Sequence, residues 1–185
     1  MAAPIFASFL GGSTGPWRVT KLADVCGEPL APVSALRVIE NASSAPPEDR
    51  AVWTLRGTTG HVRYVERAEK AALAAVTPPL ARAEATRAAM IPIRKRDAWW
   101  DLAQDERRAI LEAQSRHIAV GLKYLPAIAR RLYHSRELGE PFDFVTWFEY
   151  APEHEAGFEE LVAGLRSTAE WSYVEREVDI RLARA

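Results

Sequence analysis

Residues 142–150 alternate with period two, and this run constrains the fold more than any other part of the sequence. Phe142, Phe144, Thr146, Phe148 and Tyr150 share one face, opposite Val145 and Trp147. That period belongs to a β-strand. Its surroundings extend the pattern. Residues 128–138 alternate and lead into it through a turn at 139–141. Residues 171–182 form a last strand, with Val174, Val178, Ile180 and Leu182 facing one way. Residues 87–94 are strand-like, with Pro92 arguing for an edge or a strand end. Between these strands, 101–118 and 152–167 read as helices, the second with proline in its first turn and acidic residues beside it. The order β-α-β-β-α-β is the ferredoxin-like pattern, an α+β fold with an antiparallel sheet.

The first half is less regular. Residues 4–10 predict a short strand and 17–25 another. The intervening Gly11-Gly12-Ser13-Thr14-Gly15-Pro16 reads as a hairpin turn. It lacks the Gly-Lys-Ser/Thr of a phosphate loop. Breakers fill 27–50 around a short apolar piece at 35–39, residues 51–55 predict a strand, and 64–76 a helix stopped by Pro78-Pro79. The poorly patterned stretch 80–86 divides the chain into two lobes, 1–85 and 86–185.

Composition narrows the function. The 185 residues are 48% apolar and 26% charged, ordinary for a soluble globular protein and incompatible with disorder or an integral membrane protein. Net charge is −1, from 24 basic and 25 acidic residues, which argues against a nucleic-acid partner. The single cysteine, Cys26, permits no intrachain disulfide and no CxxC site. No Lys or Arg precedes Arg18, and the apolar stretch 5–10 is too short to span a bilayer. A cytoplasmic location without membrane contact is expected.

Candidate chemistry centres on one histidine. Leu102, Ala103, Ile110, Ala113 and His117 fall on one face of the predicted 101–118 helix, placing His117 on its buried side near its end. Such a histidine is either a satisfied core or capping residue, or a single axial ligand to a haem iron. His61, His117, His134 and His154 form no HxxxH or HExxH pair, so a multi-histidine zinc site would need distant segments. On the following strand Arg130 shares a face with Ile128, Leu132 and His134, while Arg131 lies opposite, and either can be the inward one. An inward arginine needs an anion or a salt bridge. Arg94-Lys95-Arg96 precedes Trp99-Trp100. In one continuous helix these tryptophans would lie ~27 Å from His117. A shared role therefore requires them on a segment that folds back. Cys-His and Ser-His-Asp chemistry lack support, as Cys26 has no motif around it, and no GxGxxG marks a dinucleotide site.

The ordered set Ile91-Pro92-Ile93-Arg94-Lys95, Trp99-Trp100, Asp105-Glu106-Arg107-Arg108, His117, Tyr124-Leu125-Pro126, Arg130, Leu132-Tyr133-His134-Ser135, Phe142-Asp143-Phe144 and Trp147-Phe148-Glu149 resembles the chlorite dismutase family, in its short-chain, dimeric lineage. The resemblance covers roughly residues 51–185. It implies a pair of ferredoxin-like lobes, the first truncated in 1–85 and the second, 86–185, binding haem b. It implies His117 as the axial iron ligand, Glu170 as the carboxylate behind it and Lys95 as a proximal-side lysine. Trp99 and Trp100, with Tyr64, Ile91 and Leu125, would contact the cofactor. Arg130 corresponds to the distal catalytic arginine, which the related coproheme decarboxylases generally lack.

The family reaction is ClO2⁻ → Cl⁻ + O2, and a guanidinium with several fixed donors suits a small oxyanion. The resemblance thus implies a haem b-dependent, oxygen-evolving oxidoreductase acting on chlorite as a homodimer. The alternatives are another haem enzyme of the superfamily, peroxidase-like or a coproheme decarboxylase, and a haem-free ferredoxin-like dimeric binding module.

Overall fold

The computed structural model describes residues 3–41, 51–60 and 76–185. Its strands are β1 (Phe6–Gly12), β2 (Trp17–Cys26), β3 (Ala35–Glu40), β4 (Ala51–Thr58), β5 (Arg87–Lys95), β6 (Ala129–His134), β7 (Phe144–Tyr150) and β8 (Val174–Arg184). They pair antiparallel and close into one barrel, in the order β1-β3-β2-β8-β5-β7-β6-β4. The α+β class with an antiparallel sheet is therefore as expected, but the two halves do not keep separate sheets. Long β2 pairs with β8 from Trp17↔Arg184 to Cys26↔Glu177, and Thr58↔His134 joins β4 to β6. These two seams leave no open sheet edge.

Three local expectations change. The 11–16 turn does not make a hairpin: β1 and β2 pair with β3 rather than with each other, Gly12 and Arg18 both facing Ala35. The chain simply steps across the end of β3. Gly15 permits this close approach, since a Cβ there would lie 2.4 Å from the Leu36 carbonyl oxygen. Pro92 sits in a central strand, between β7 and β8. It is tolerated because the β5–β8 ladder skips Ile91 and Pro92, resuming at Ile93↔Glu177, so its missing N–H breaks no bond there. Phe142 precedes β7 and packs into the barrel with Val145 and Trp147, not with Phe144 and Phe148. The expected helix at 64–76 lies almost wholly outside the described residues.

The largest departure concerns 101–118. In place of one helix there are α1 (Asp97–Asp101), α2 (Gln104–Arg108), a π-helical turn at Ala109–Gln114, and α3 (His117–Leu122). Arg116, at φ 50°, breaks the path before α3. Ala103 and Ala113 are consequently exposed, so the expected apolar stripe does not exist. His117 opens a new helix instead of ending an old one.

Two apolar layers hold the sheet. Inside the barrel lie Phe9, Leu36, Leu55, Met90, Tyr133, Trp147 and Ile180, all buried. On the outer face Ile91, Ile93, Phe148 and Tyr150 pack under Phe158, Leu161, Val162 and Leu165 of α4 (Glu155–Arg166). β5 alternates between the layers, with Ala88 and Met90 inward and Ala89, Ile91 and Ile93 outward. Its outer face, with those of β6 and β7, forms the floor on which the site is built. No helix among the described residues is long and apolar enough to cross a membrane.

Candidate active site

A cavity opens between this outer sheet face and the helices. Its volume is about 1170 Å³, counting the space at its mouth. Ile91 and Ile93 from β5, Leu132 from β6, and Phe144 and Phe148 from β7 line the sheet side. Val162 and Leu165 come from α4, while the polar groups include His117, Glu170, Lys95 and Arg130, with His134, Thr146 and Glu177 also in the lining.

His117 reaches the cavity because of the helix break. The π-helical turn shifts the register, Arg116 redirects the chain, and the Ile118 N–H donates to Glu112 Oε2 at 2.9 Å, capping the start of α3. Behind the imidazole stands Glu170, in a 3₁₀ turn at Ala169–Tyr173. His117 Nδ1 lies 2.7 Å from Glu170 Oε2. The other carboxylate oxygen accepts from Lys95 Nζ at 2.8 Å, and the Glu170 backbone N–H donates to Ser115 Oγ at 3.0 Å.

This arrangement fixes charge states. Burial alone would raise the Glu170 carboxyl, but the hydrogen bond and charge of His117, together with Lys95, outweigh it and bring the pKa down to about 2. An ionised Glu170 only accepts, so His117 presents its Nδ1–H to it, which leaves Nε2 for a ligand in the cavity. Burial pulls the Lys95 ammonium below its ordinary value, opposed by Glu170 and Asp143. The Lys95 backbone is pinned as well, its N–H donating to Asp143 Oδ2 at 2.7 Å.

Of the two candidate arginines, Arg130 enters the cavity. Arg131 turns to the opposite face, pairing with Glu40 and reaching the Tyr133 hydroxyl at 3.3 Å. Arg130 has no ion-pair partner among the described residues, and burial lowers its pKa. Its guanidinium rests beside Gly121 of α3, where an added Cβ would be 3.9 Å away. An unpaired guanidinium in an apolar cavity is a built-in seat for a small anion.

The remaining expected residues divide. Trp99 and Ile91 line the cavity, and Trp99 is buried with its ring centroid 4.7 Å from Lys95 Nζ. Trp100 does not line it. Its Nε1–H donates to Asp143 at 3.3 Å and its ring lies between Arg136 and the outer side of Phe144. Successive residues on a helix diverge by about 100°, so only one of the pair can face inward. The short α1 supplies the folded-back segment, tied down by Arg107, which donates to the Trp100 and Leu102 carbonyls. Leu125 lies beyond α3, outside the lining, and Tyr64 lies outside the described residues. Sequence reasoning missed Ser115, Trp171 and Glu177. The last two lie on the chain just past Glu170, but nothing in their spacing marks them.

Comparison with known proteins follows this geometry. The chlorite dismutase family model matches residues 20–185. The chain belongs to the chlorite dismutase family. A dimeric chlorite dismutase from Nitrobacter winogradskyi is 60% identical, with TM-score 0.89 over 97% of this chain and 99% of that one. A curated chlorite dismutase from Ideonella dechloratans is 38% identical over 60 residues, which is 32% of this chain and 20% of that protein's length. A mutant chlorite dismutase from Candidatus Nitrospira defluvii shares the fold at 18% identity, with TM-score 0.68 over 98% of this chain and 91% of that one.

The family implies haem, and the residues of this chlorite dismutase family member fit it. Two imidazoles line the cavity, those of His117 and His134, and in His117 one ring nitrogen is already engaged by a carboxylate, within walls that are mainly apolar. Among the described residues no group of three or more His, Cys, Asp or Glu could hold a bare metal ion. A single axial ligand in an apolar slot suits an iron carried by a macrocycle.

Proposed function

We propose that this protein converts chlorite to chloride and molecular oxygen, ClO2⁻ → Cl⁻ + O2, with haem b held by His117. The observation that carries the reading is the pairing, in one cavity, of the Glu170-backed His117 with the Arg130 guanidinium, which has no ion-pair partner among the described residues. When bound, the haem would supply the redox-active iron that breaking Cl–O bonds and making an O–O bond requires. His117, through Nε2, would hold that iron. Glu170, accepting from Nδ1, holds the ring in one tautomer and one orientation and enriches its donation. Lys95 holds Glu170 in turn, and Trp99 covers Lys95.

Arg130 draws chlorite into an apolar cavity by charge and then retains the oxygen- and chlorine-bearing fragment until the O–O bond is made. Phe148 and Ile91, both buried, keep the surroundings dry, which strengthens that hold. Arg130 also separates this reading from a coproheme decarboxylase, to which the sequence resemblance assigns no such arginine.

The two-lobe description belongs to the same reading. Each half contributes four neighbouring strands, β4-β1-β3-β2 and β8-β5-β7-β6, and only the second half has helices described between its first and second and its third and fourth strands. The same strand order in both halves, fourth strand beside first, supports reading 1–85 as a counterpart lobe of 86–185. Phe6, Val25 and Val52 on β1, β2 and β4 are exposed large apolar residues that a second copy in a homodimer would cover. The test is haem titration followed to a saturated Soret band, then addition of chlorite in an oxygen electrode. Oxygen release that scales with bound haem supports the proposal. A haem-saturated protein that releases none sinks it.

A further inference from the structure

Glu177 and Trp171 line the cavity, and Arg166 bonds to Glu177, without a part in the reading above. Glu177 is fully buried, at 0% exposure. Its Oε1 accepts from Arg166 Nε at 2.9 Å, and its Oε2 accepts from Trp171 Nε1 at 2.8 Å. Arg166 ends α4 and donates onward to Asp179 Oδ2 at 2.9 Å. One carboxylate therefore braces three elements: β8, the end of α4 and the 3₁₀ turn that carries Glu170.

The brace fixes a ring against Lys95. The Lys95 ammonium, 2% exposed, has two acceptors, Glu170 Oε1 at 2.8 Å and the Glu170 carbonyl at 3.4 Å. Indole rings stand in for the solvent it has lost. Trp99 lies 4.7 Å from Nζ and Trp171 5.6 Å from it.

We propose that Trp171, held by Glu177, is a positioning residue that sets how Glu170 divides its charge between Lys95 and His117. The two rings share in stabilising the ammonium. Without Trp171, Lys95 draws more fully on the carboxylate, and less negative charge remains at Oε2 for the His117 Nδ1–H. The imidazole then donates more weakly through Nε2, which favours ferrous over ferric iron. The inference rests on the reading of His117 as the axial ligand.

The test uses the haem-loaded protein and its Trp171→Phe and Trp171→Leu variants, each with and without Lys95→Met. Two readouts are taken: the ferric/ferrous potential, and the iron–histidine stretch by resonance Raman spectroscopy. The potential should rise and the stretch fall from parent to Trp171→Phe to Trp171→Leu. In the Lys95→Met background the Trp171 substitutions should add no further shift. If Trp171→Leu fails to hold haem, Trp171→Phe and its Lys95→Met pair decide by the same criteria. Variants that melt earlier while both readouts stay at parent values overturn the proposal, and so does a shift that survives Lys95→Met. A parent protein with no iron–histidine band removes the axial-ligand reading, and this inference with it. A clear band in the parent with unmoved variants removes this inference alone.

Discussion

Glu170→Gln should destabilise the haem-free protein by roughly 3–5 kcal/mol, the cost of breaking a buried ion pair from one side. The variant keeps the size and shape of the side chain but leaves Lys95, 2% exposed, with no neutralising carboxylate at 2.8 Å. A second route gives a similar size. The carboxyl falls from 4.5 to about 2 on folding. A shift of that order corresponds to roughly 3 kcal/mol of stability near neutral pH. The sign follows from the depressed folded value: the contribution is complete above pH 4.5 and is lost as the pH drops toward 2. Urea unfolding of parent and variant at neutral pH, repeated in steps down to the lowest pH at which both fold, measures the difference. The gap should be widest near neutrality and close on acidification. Adding Lys95→Met to Glu170→Gln should recover part of the loss, because the stranded ammonium is gone. A difference below about 1 kcal/mol, or one that does not change with pH, would refute the reasoning.

His117→Ala should lose most haem affinity while the apoprotein keeps its fold, checked by Soret intensity after gel filtration beside far-UV circular dichroism. Arg130→Ala should keep the haem but release oxygen one to two decades more slowly, about what a charge-assisted hydrogen bond of 1.5–3 kcal/mol supplies to a transition state. It should also leak hypochlorite to a chlorination-sensitive dye. Arg131→Ala, whose side chain pairs with Glu40 on the opposite face, should leave oxygen release near the parent rate. Light scattering at micromolar concentration should return the mass of a dimer.

Strands were the legible part of the fold, because period two survives in any single stretch of chain. Phe144, Thr146 and Phe148 show it plainly and do face the cavity side of β7. Barrel closure was not legible. It depends on β2 meeting β8 across nearly the whole sequence, and no local pattern records a long-range neighbour. The helix break at 101–118 was hidden for a different reason. The stretch holds no Gly or Pro and many good helix formers, so neither the π-helical turn nor the left-handed Arg116 leaves a clear compositional mark. His117 was singled out from a stripe that does not exist, and reaches the cavity by a turn that sequence periodicity cannot register. For Arg130 against Arg131, alternation gave two opposite faces, and the position of Glu40 on β3 decides which is paired and which, among the described residues, is not.

The most direct test of the central claim uses chlorite labelled in both oxygens, turned over by the haem-loaded protein in ordinary water. If Arg130 and the apolar walls retain the fragment until the O–O bond forms, both atoms of the released O2 carry label and chloride appears in equal amount. Oxygen that carries label in only one atom, or chloride formed without oxygen, would contradict the account.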